Sequence, residues 1–316
     1  MPSQSVASRI AVFALAAVLP PSLPAQDKAV VPHRTGPALR FDVAPALAAL
    51  LEARHDTPDA ERSVGDTAWI VLALVANGWT LRSADTLGGD MKALMAWLDL
   101  RQDKAGYFNR RGVRCARGEQ LLATLAVTEA WAASVEYEPC EANTTLGIAA
   151  THEVMRSRTA PAATVDEFVG SILLARSTAL SHRPVPIAQA AEILAGSRSG
   201  MTIGKVRRTD AALHLDELLQ GVKHPADLTV ARTWPANLLA DPLHTMVAAL
   251  AVSRADAKTQ PAPFAMLEAL VSARETEGEH AGTWAPAGGY GRIATTAMHT
   301  ITLALGNGTR GLLRTR

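Results

Sequence analysis

The chain has 316 residues, 48% of them hydrophobic and 19% charged, so it can bury a sizeable core and is too apolar to be disordered. Its 31 basic and 30 acidic side chains leave a formal net charge of +1, which argues against electrostatic recruitment to nucleic acid or to an anionic membrane. Aromatic residues make up only 4% while Ala and Leu are abundant, which points to closely packed helices, because Ala and Leu lose little side-chain freedom in a helix.

The N-terminus reads as an export signal. Arg9 ends a short polar start, Ile10 to Leu19 is an unbroken apolar run, and Pro20, Pro21 and Pro24 break it. The segment Leu23-Pro-Ala-Gln26 offers a cleavage site after Ala25. Ten apolar residues are too few for a membrane span, which needs about 20. The expectation is a signal peptide over 1–25, a mature chain in a periplasmic or extracellular space, and no stable span after cleavage. No Cys follows the run, so a lipid anchor is not expected. Residues 26–40 hold two prolines, a glycine and several charges, and read as a linker.

Helical signals then recur to the end of the chain, and alternating Val/Ile/Thr runs are absent, so a sheet is not expected. Segments with one polar face are predicted at 43–54, 87–100, 144–157, 186–196 and 262–275. Between them lie segments that are apolar on nearly every face. These begin at Asp66, Glu119, Asp166, Asp241 and Arg292. An acid at a helix start suits the positive end of the helix, and a helix apolar all round is buried on both sides. The starts are spaced 53, 47, 75 and 51 residues apart. A period near 50 is one helix hairpin with its loop, and the long gap leaves room for a degenerate pair around 201–222. The predicted fold is all-α, an α/α-toroid: a double-layered ring of about five to six hairpins over 41–306, with a C-terminal tail at 307–316.

Cys115 and Cys140 could pair in an oxidising space. The predicted helix 118–133 between them is about 24 Å long, and a disulfide needs Cα atoms within about 7 Å. A bridge therefore requires the loop 134–140 to run straight back along the helix. A disulfide and two free thiols both stay open.

Two loops carry a family likeness. Gln102-Asp-Lys-Ala-Gly106-Tyr-Phe108 fits Gln-x-x-x-Gly-x-Trp/Phe, and Ala281-Gly282-Thr-Trp284 repeats its second half. The first resembles the Gln-Trp repeat of squalene–hopene cyclases. There Gln caps the outer helix, Gly permits the turn, and the ring packs between hairpins. The chain from about 40 to 306 resembles secreted bacterial prenyltransferase/squalene-oxidase-repeat proteins, most clearly over Asp66–Ser83, Glu119–Ala132, Asp166–Ala179 and Gly282–Leu303. The resemblance implies the toroid, not a reaction.

The residues bear on four chemistries. A class II terpene cyclase needs an Asp-x-Asp-Asp acid and an aromatic lining, and the chain has no such motif and few rings. A prenyltransferase-like zinc site would use Asp241, His244 and His299, but zinc needs three or four ligands and the matching Asp-x-Cys is missing. Cys115-Ala-Arg-Gly-Glu-Gln120 is similar to a complement-type thioester, yet its Cys and Gln are five apart rather than three. A glycan hydrolase or lyase would need paired carboxylates. The starts of the inner helices supply candidates, unless each acid merely caps its own helix. The reading is therefore an exported, non-catalytic toroid that needs no cofactor and no metal. It would bind a peptide, lipid or envelope-protein partner through its central funnel or its outer surface, with an enzyme at the ring mouth as the alternative. The candidate site is Asp66, Glu119, Gln120, Asp166, Asp241, His244, Tyr290, Arg292 and His299, with Arg292 free to pair with one of the acids.

Overall fold

A computed structural model describes residues 41–134, 139–156, 165–180, 184–199, 237–254, 264–309 and 312. These are mostly helical. The helices are α1 (Ala44–Asp56), α2 (Val64–Ala76), α3 (Thr86–Arg101), α4 (Arg117–Ala133), α5 (Pro139–Arg156), α6 (Val165–Leu180), α7 (Pro184–Ser199), α8 (Pro242–Arg254), α9 (Phe264–Ser272) and α10 (Arg292–Gly306). The fold class is all-α. The degenerate pair expected around 201–222 lies outside the described residues, as do the predicted signal peptide and linker.

Local chemistry sets several helix starts. Ser63 caps α2, its hydroxyl accepting from the Asp66 N–H at 3.2 Å, and Asp85 caps α3 through the Gly88 N–H at 2.8 Å. Asp241 accepts from the His244 N–H at 3.1 Å, with Pro242 at the first helical position of α8.

The helices sort into two kinds by burial. In α2 eleven of 13 residues are buried and in α10 twelve of 15, whereas α3 buries seven of 16 along one face. That difference identifies α2, α4, α6, α8 and α10 as core helices. They pack side by side in the order α8, α10, α2, α4, α6. The others flank them: α1 lies on α10 and α2, α3 on α2, α5 on α4, α7 on α5 and α6, and α9 on α10. The α10–α2 contact joins the two ends of the described chain. Asn307 secures it by accepting from the Phe41 N–H and donating to the Phe41 carbonyl, both at 2.8 Å.

The two motif loops are built alike, 176 positions apart. The Phe108 N–H donates to Gln120 Oε1 at 2.8 Å, and the Trp284 N–H donates to Thr296 Oγ1 at 3.2 Å, each reaching twelve residues ahead into the following core helix. Both rings are buried. Gly106 and Gly282 share φ +88 and press on the next flanking helix, Gly106 on the backbone at Leu146 of α5 and Gly282 on that at Pro45 of α1. Gln102 ends α3, and its amide donates to the Asn143 carbonyl of α5 at 2.9 Å. Gln102, Gly106, Phe108, Gly282 and Trp284 are thus joints between hairpins.

One element departs from the sequence expectation. Residues Asn109–Arg110 (β1) and Val113–Arg114 (β2) form a short antiparallel hairpin. Arg111 and Gly112 both have positive φ, 52° and 77°, which matches the twist of a tight hairpin. Two-residue strands are too short to leave an alternating pattern.

Candidate functional site

The N-terminal halves of all five core helices converge on one cavity of about 270 Å³. Its walls are apolar: Trp69 from α2, Leu122 and Leu125 from α4, Val169 and Leu173 from α6, and Met246 from α8. Tyr290, just before α10, completes them. Three carboxylates stand on the same lining, Asp66, Glu119 and Asp166.

The acids are placed by their helices. Each lies in the first turn of α2, α4 or α6, and each has an apolar lining residue three positions on: Trp69, Leu122 and Val169. Positions i and i+3 share a helix face, so one face of each helix carries an acid above an apolar wall. Neither Asp66 nor Glu119 caps its own helix. Ser63 caps α2, and α4 begins at Ala116 with no side-chain cap. The Ser63 hydroxyl instead links helices, accepting from the Asp66 N–H and donating to Glu119 Oε1 at 3.3 Å. The Glu119 carboxylate is thereby held at the positive end of α2.

Asp66 is perturbed by its surroundings. Burial raises its pKa above the ordinary carboxylate range, and the neighbouring Glu119 charge raises it further against a smaller opposing effect of Arg110. Among the described residues neither Asp66 nor Asp166 makes a hydrogen bond or ion pair through its carboxylate. The nearby arginines are engaged elsewhere: Arg117 pairs with Glu167 at 2.8 Å, and Arg110 donates to the Glu61 carbonyl at 3.1 Å.

The remaining predicted residues separate from this group. Gln120 is buried behind the wall, accepting from Phe108 N–H and donating to the Gly106 carbonyl at 3.2 Å, so it fixes the loop rather than a ligand. Asp241 does act as a helix cap. His244 is buried in α8 away from the lining. Arg292 does not meet the acids of the cavity. It pairs with Glu275 at 2.5 Å and donates to Thr283 Oγ1 at 3.0 Å, closing the loop that carries Gly282. His299 lies in the middle of α10, fully buried, its ring 5.3 Å from that of Trp284 and tilted 60°. Burial holds its imidazole at a pKa of about 4.

Cys115 is a free thiol, half-buried, and burial beside Glu119 pushes its pKa up to about 11. That makes it a poor nucleophile. Among the described residues no three His, Cys, Asp or Glu side chains gather as a metal site, and no helix is long and apolar enough to cross a membrane.

Sequence reasoning missed Ser63 and the apolar walls. The signal was present: an acid with an apolar residue three positions later recurs in three core helices. Read one at a time, such pairs look like helix starts followed by core.

No protein-family model matches the chain, and no curated protein or solved structure shows detectable similarity to it.

Proposed function

We propose that this chain is an exported α/α-toroid, related to the secreted prenyltransferase/squalene-oxidase-repeat proteins, that binds a ligand at the mouth of its ring. The observation that carries the reading is the convergence of five core-helix N-terminal halves on one apolar cavity edged by acids. The packing order α8, α10, α2, α4, α6 and the junction of α10 with α2 support a ring. So do the matching loops at Gly106 and Gly282, each of which seats the next flanking helix, the second across the chain ends. The apolar run Ile10–Leu19 before Ala25 supports export, and protein recovered from the cell envelope should begin at Gln26, not Met1.

A binding pocket accounts for the lining better than a scaffold does. A scaffold has no use for an open apolar cavity or for the half-buried Asp66 carboxylate, which has no hydrogen bond among the described residues, since both cost stability. Gly118 supplies the test. It lines the cavity, and a Cβ added there meets nothing within 4 Å. Gly118→Phe should fill the cavity without disturbing the fold. An apolar fluorescent probe such as N-phenylnaphthylamine should brighten on the wild-type chain and lose at least roughly tenfold in affinity on the variant, the scale of burying a few methylene groups less. Equal binding to both would place the probe elsewhere and remove the support for this site.

The alternative is an enzyme at the same mouth, favoured by one observation. Asp66 keeps its proton to a higher pH than an ordinary carboxylate, as a general acid does. Turnover of any substrate that disappears in Asp66→Asn with the fold intact would establish it in place of simple binding.

A further inference from the structure

The lining of the cavity specifies a ligand class, given the reading of the cavity as a binding site. Its inner walls, Trp69, Leu122, Leu125, Val169, Leu173 and Met246, offer no charge and little hydrogen bonding. They suit a hydrocarbon segment, which gains free energy in proportion to the area it removes from water. The volume of about 270 Å³ falls just below the usual range for drug-sized ligands, roughly 300–1,000 Å³. It fits a short chain or a compact aromatic and not a large polycyclic lipid.

The polar part of the lining is one-signed. Asp66, Glu119 and Asp166 project from three adjacent helices on the same cavity. Among the described residues repulsion among them is relieved only in part, by the Arg110 charge near Asp66. Arg117 is spent on Glu167, Arg292 on Glu275, and Arg110 is held by the Glu61 carbonyl. Glu119 receives hydrogen bonds from the Ser63 hydroxyl and the Cys115 thiol. Asp66 and Asp166 receive none from the described residues. An acid edge above an apolar well, with Asp66 and Glu119 half-buried and Asp166 exposed, is complementary to a ligand with a positive charge at one end and a hydrocarbon body. An anionic ligand, such as a fatty acid or a phosphate ester, would meet three carboxylates on a lining that, among the described residues, holds no Lys or Arg.

We propose that the cavity binds a small primary alkylamine, its hydrocarbon chain between the walls and its ammonium group among Asp66, Glu119 and Asp166. Each ammonium hydrogen then finds an acceptor, and the mutual repulsion of the acids is converted into attraction. Arg114 does not contribute. Arg114 stacks on Tyr107, 3.6 Å from the ring centre, and lies off the lining.

The experiment is isothermal titration calorimetry on the whole chain with hexylamine, hexanol, hexanoate and Nα-acetyl-lysine methylamide. Hexylamine should bind roughly tenfold more tightly than hexanol, between the effect of a rim charge and that of a fully desolvated one. Hexanoate should not bind. Asp66→Asn and Asp166→Asn should each abolish most of the preference for the amine and leave hexanol within about twofold, because the apolar walls are unchanged. Circular dichroism of each variant checks the fold. Equal binding of hexanol and hexylamine, unaffected by Asp66→Asn, would overturn the amine proposal while leaving an apolar pocket in place. Tighter binding of the lysine derivative than of hexylamine would overturn the assignment to a free alkylamine. Failure of all the ligands to bind the wild-type chain would overturn both the amine and the pocket.

Discussion

Gly106→Ala is expected to destabilise the chain by about 2–5 kcal/mol, enough to abolish a large part of a typical domain's stability. Two effects add. Gly106 has φ +88, where a Cβ costs about 1–2 kcal/mol through its approach to the backbone. The new methyl would also land on the backbone carbonyl of Leu146, in the helix seated on this loop. Backbone cannot rotate away as a side chain can, so α5 must shift, and such overpacking costs about 1–3 kcal/mol. Gly118→Ala is the matched control. It adds the same methyl in the first turn of α4, in open space, and should be neutral or stabilising by up to about 1 kcal/mol. Urea unfolding of the two variants measures the difference. Similar midpoints would mean that the loop does not hold the flanking helix as described.

His299 should make the protein acid-sensitive. Its folded pKa is about 4, against 6.5 for an ordinary imidazole, and the cause is desolvation. Between those values the unfolded chain binds a proton that the folded chain does not. Stability therefore rises with pH across this window and is lost as pH falls from about 6.5 towards about 4. The shift corresponds to about 3 kcal/mol over the full window, at about 1.4 kcal/mol per pH unit. The side chain is fully buried against Trp284, so solvent screening does not dilute it. Among the described residues neither ring nitrogen has a hydrogen-bond partner. Replacing the imidazole by Leu thus removes no hydrogen bond and should flatten the slope between pH 4.5 and 7. Parallel pH profiles for wild type and His299→Leu would show that another group carries the effect.

Much of the layout was legible because burial writes directly on sequence. Helices packed on two sides have no room for polar residues, so α2 and α10 read as apolar blocks beginning within two residues of where they start. Flanking helices keep one polar face and were separable for that reason. The Gln102–Phe108 loop was legible through its glycine and aromatic residue. The start of α5 was less so. It begins at Pro139 rather than 144, because proline at the first helical turn costs nothing there although it usually signals a break.

The site was only partly legible. That acids would gather at one end of the core helices follows from their common position in the first turn. Which of them serve as caps does not. Ser63 lies three residues before Asp66 and takes the cap, freeing Asp66 for the cavity, whereas no such residue relieves Asp241. The partner of Arg292 was also out of reach. Glu275 comes close only because the loop from 275 to 283 folds back on itself, through the Glu275 N–H to the Thr283 carbonyl at 2.9 Å and the Gly282 N–H to the Glu275 carbonyl at 2.7 Å. His299 carries the same apolar context as its neighbours, and nothing in the sequence tells its buried ring from one at a ring mouth.

The central claim is that ligands enter the cavity where the core helices converge. Methyl-resolved NMR tests it most directly, by titrating hexylamine into protein labelled at Leu, Val and Met methyl groups. The account predicts shifts concentrated at Leu122, Leu125, Val169, Leu173 and Met246, with Leu47 and Leu94 of the flanking helices unmoved. Shifts centred on the flanking helices, or absent from the lining methyls at saturating amine, would contradict it.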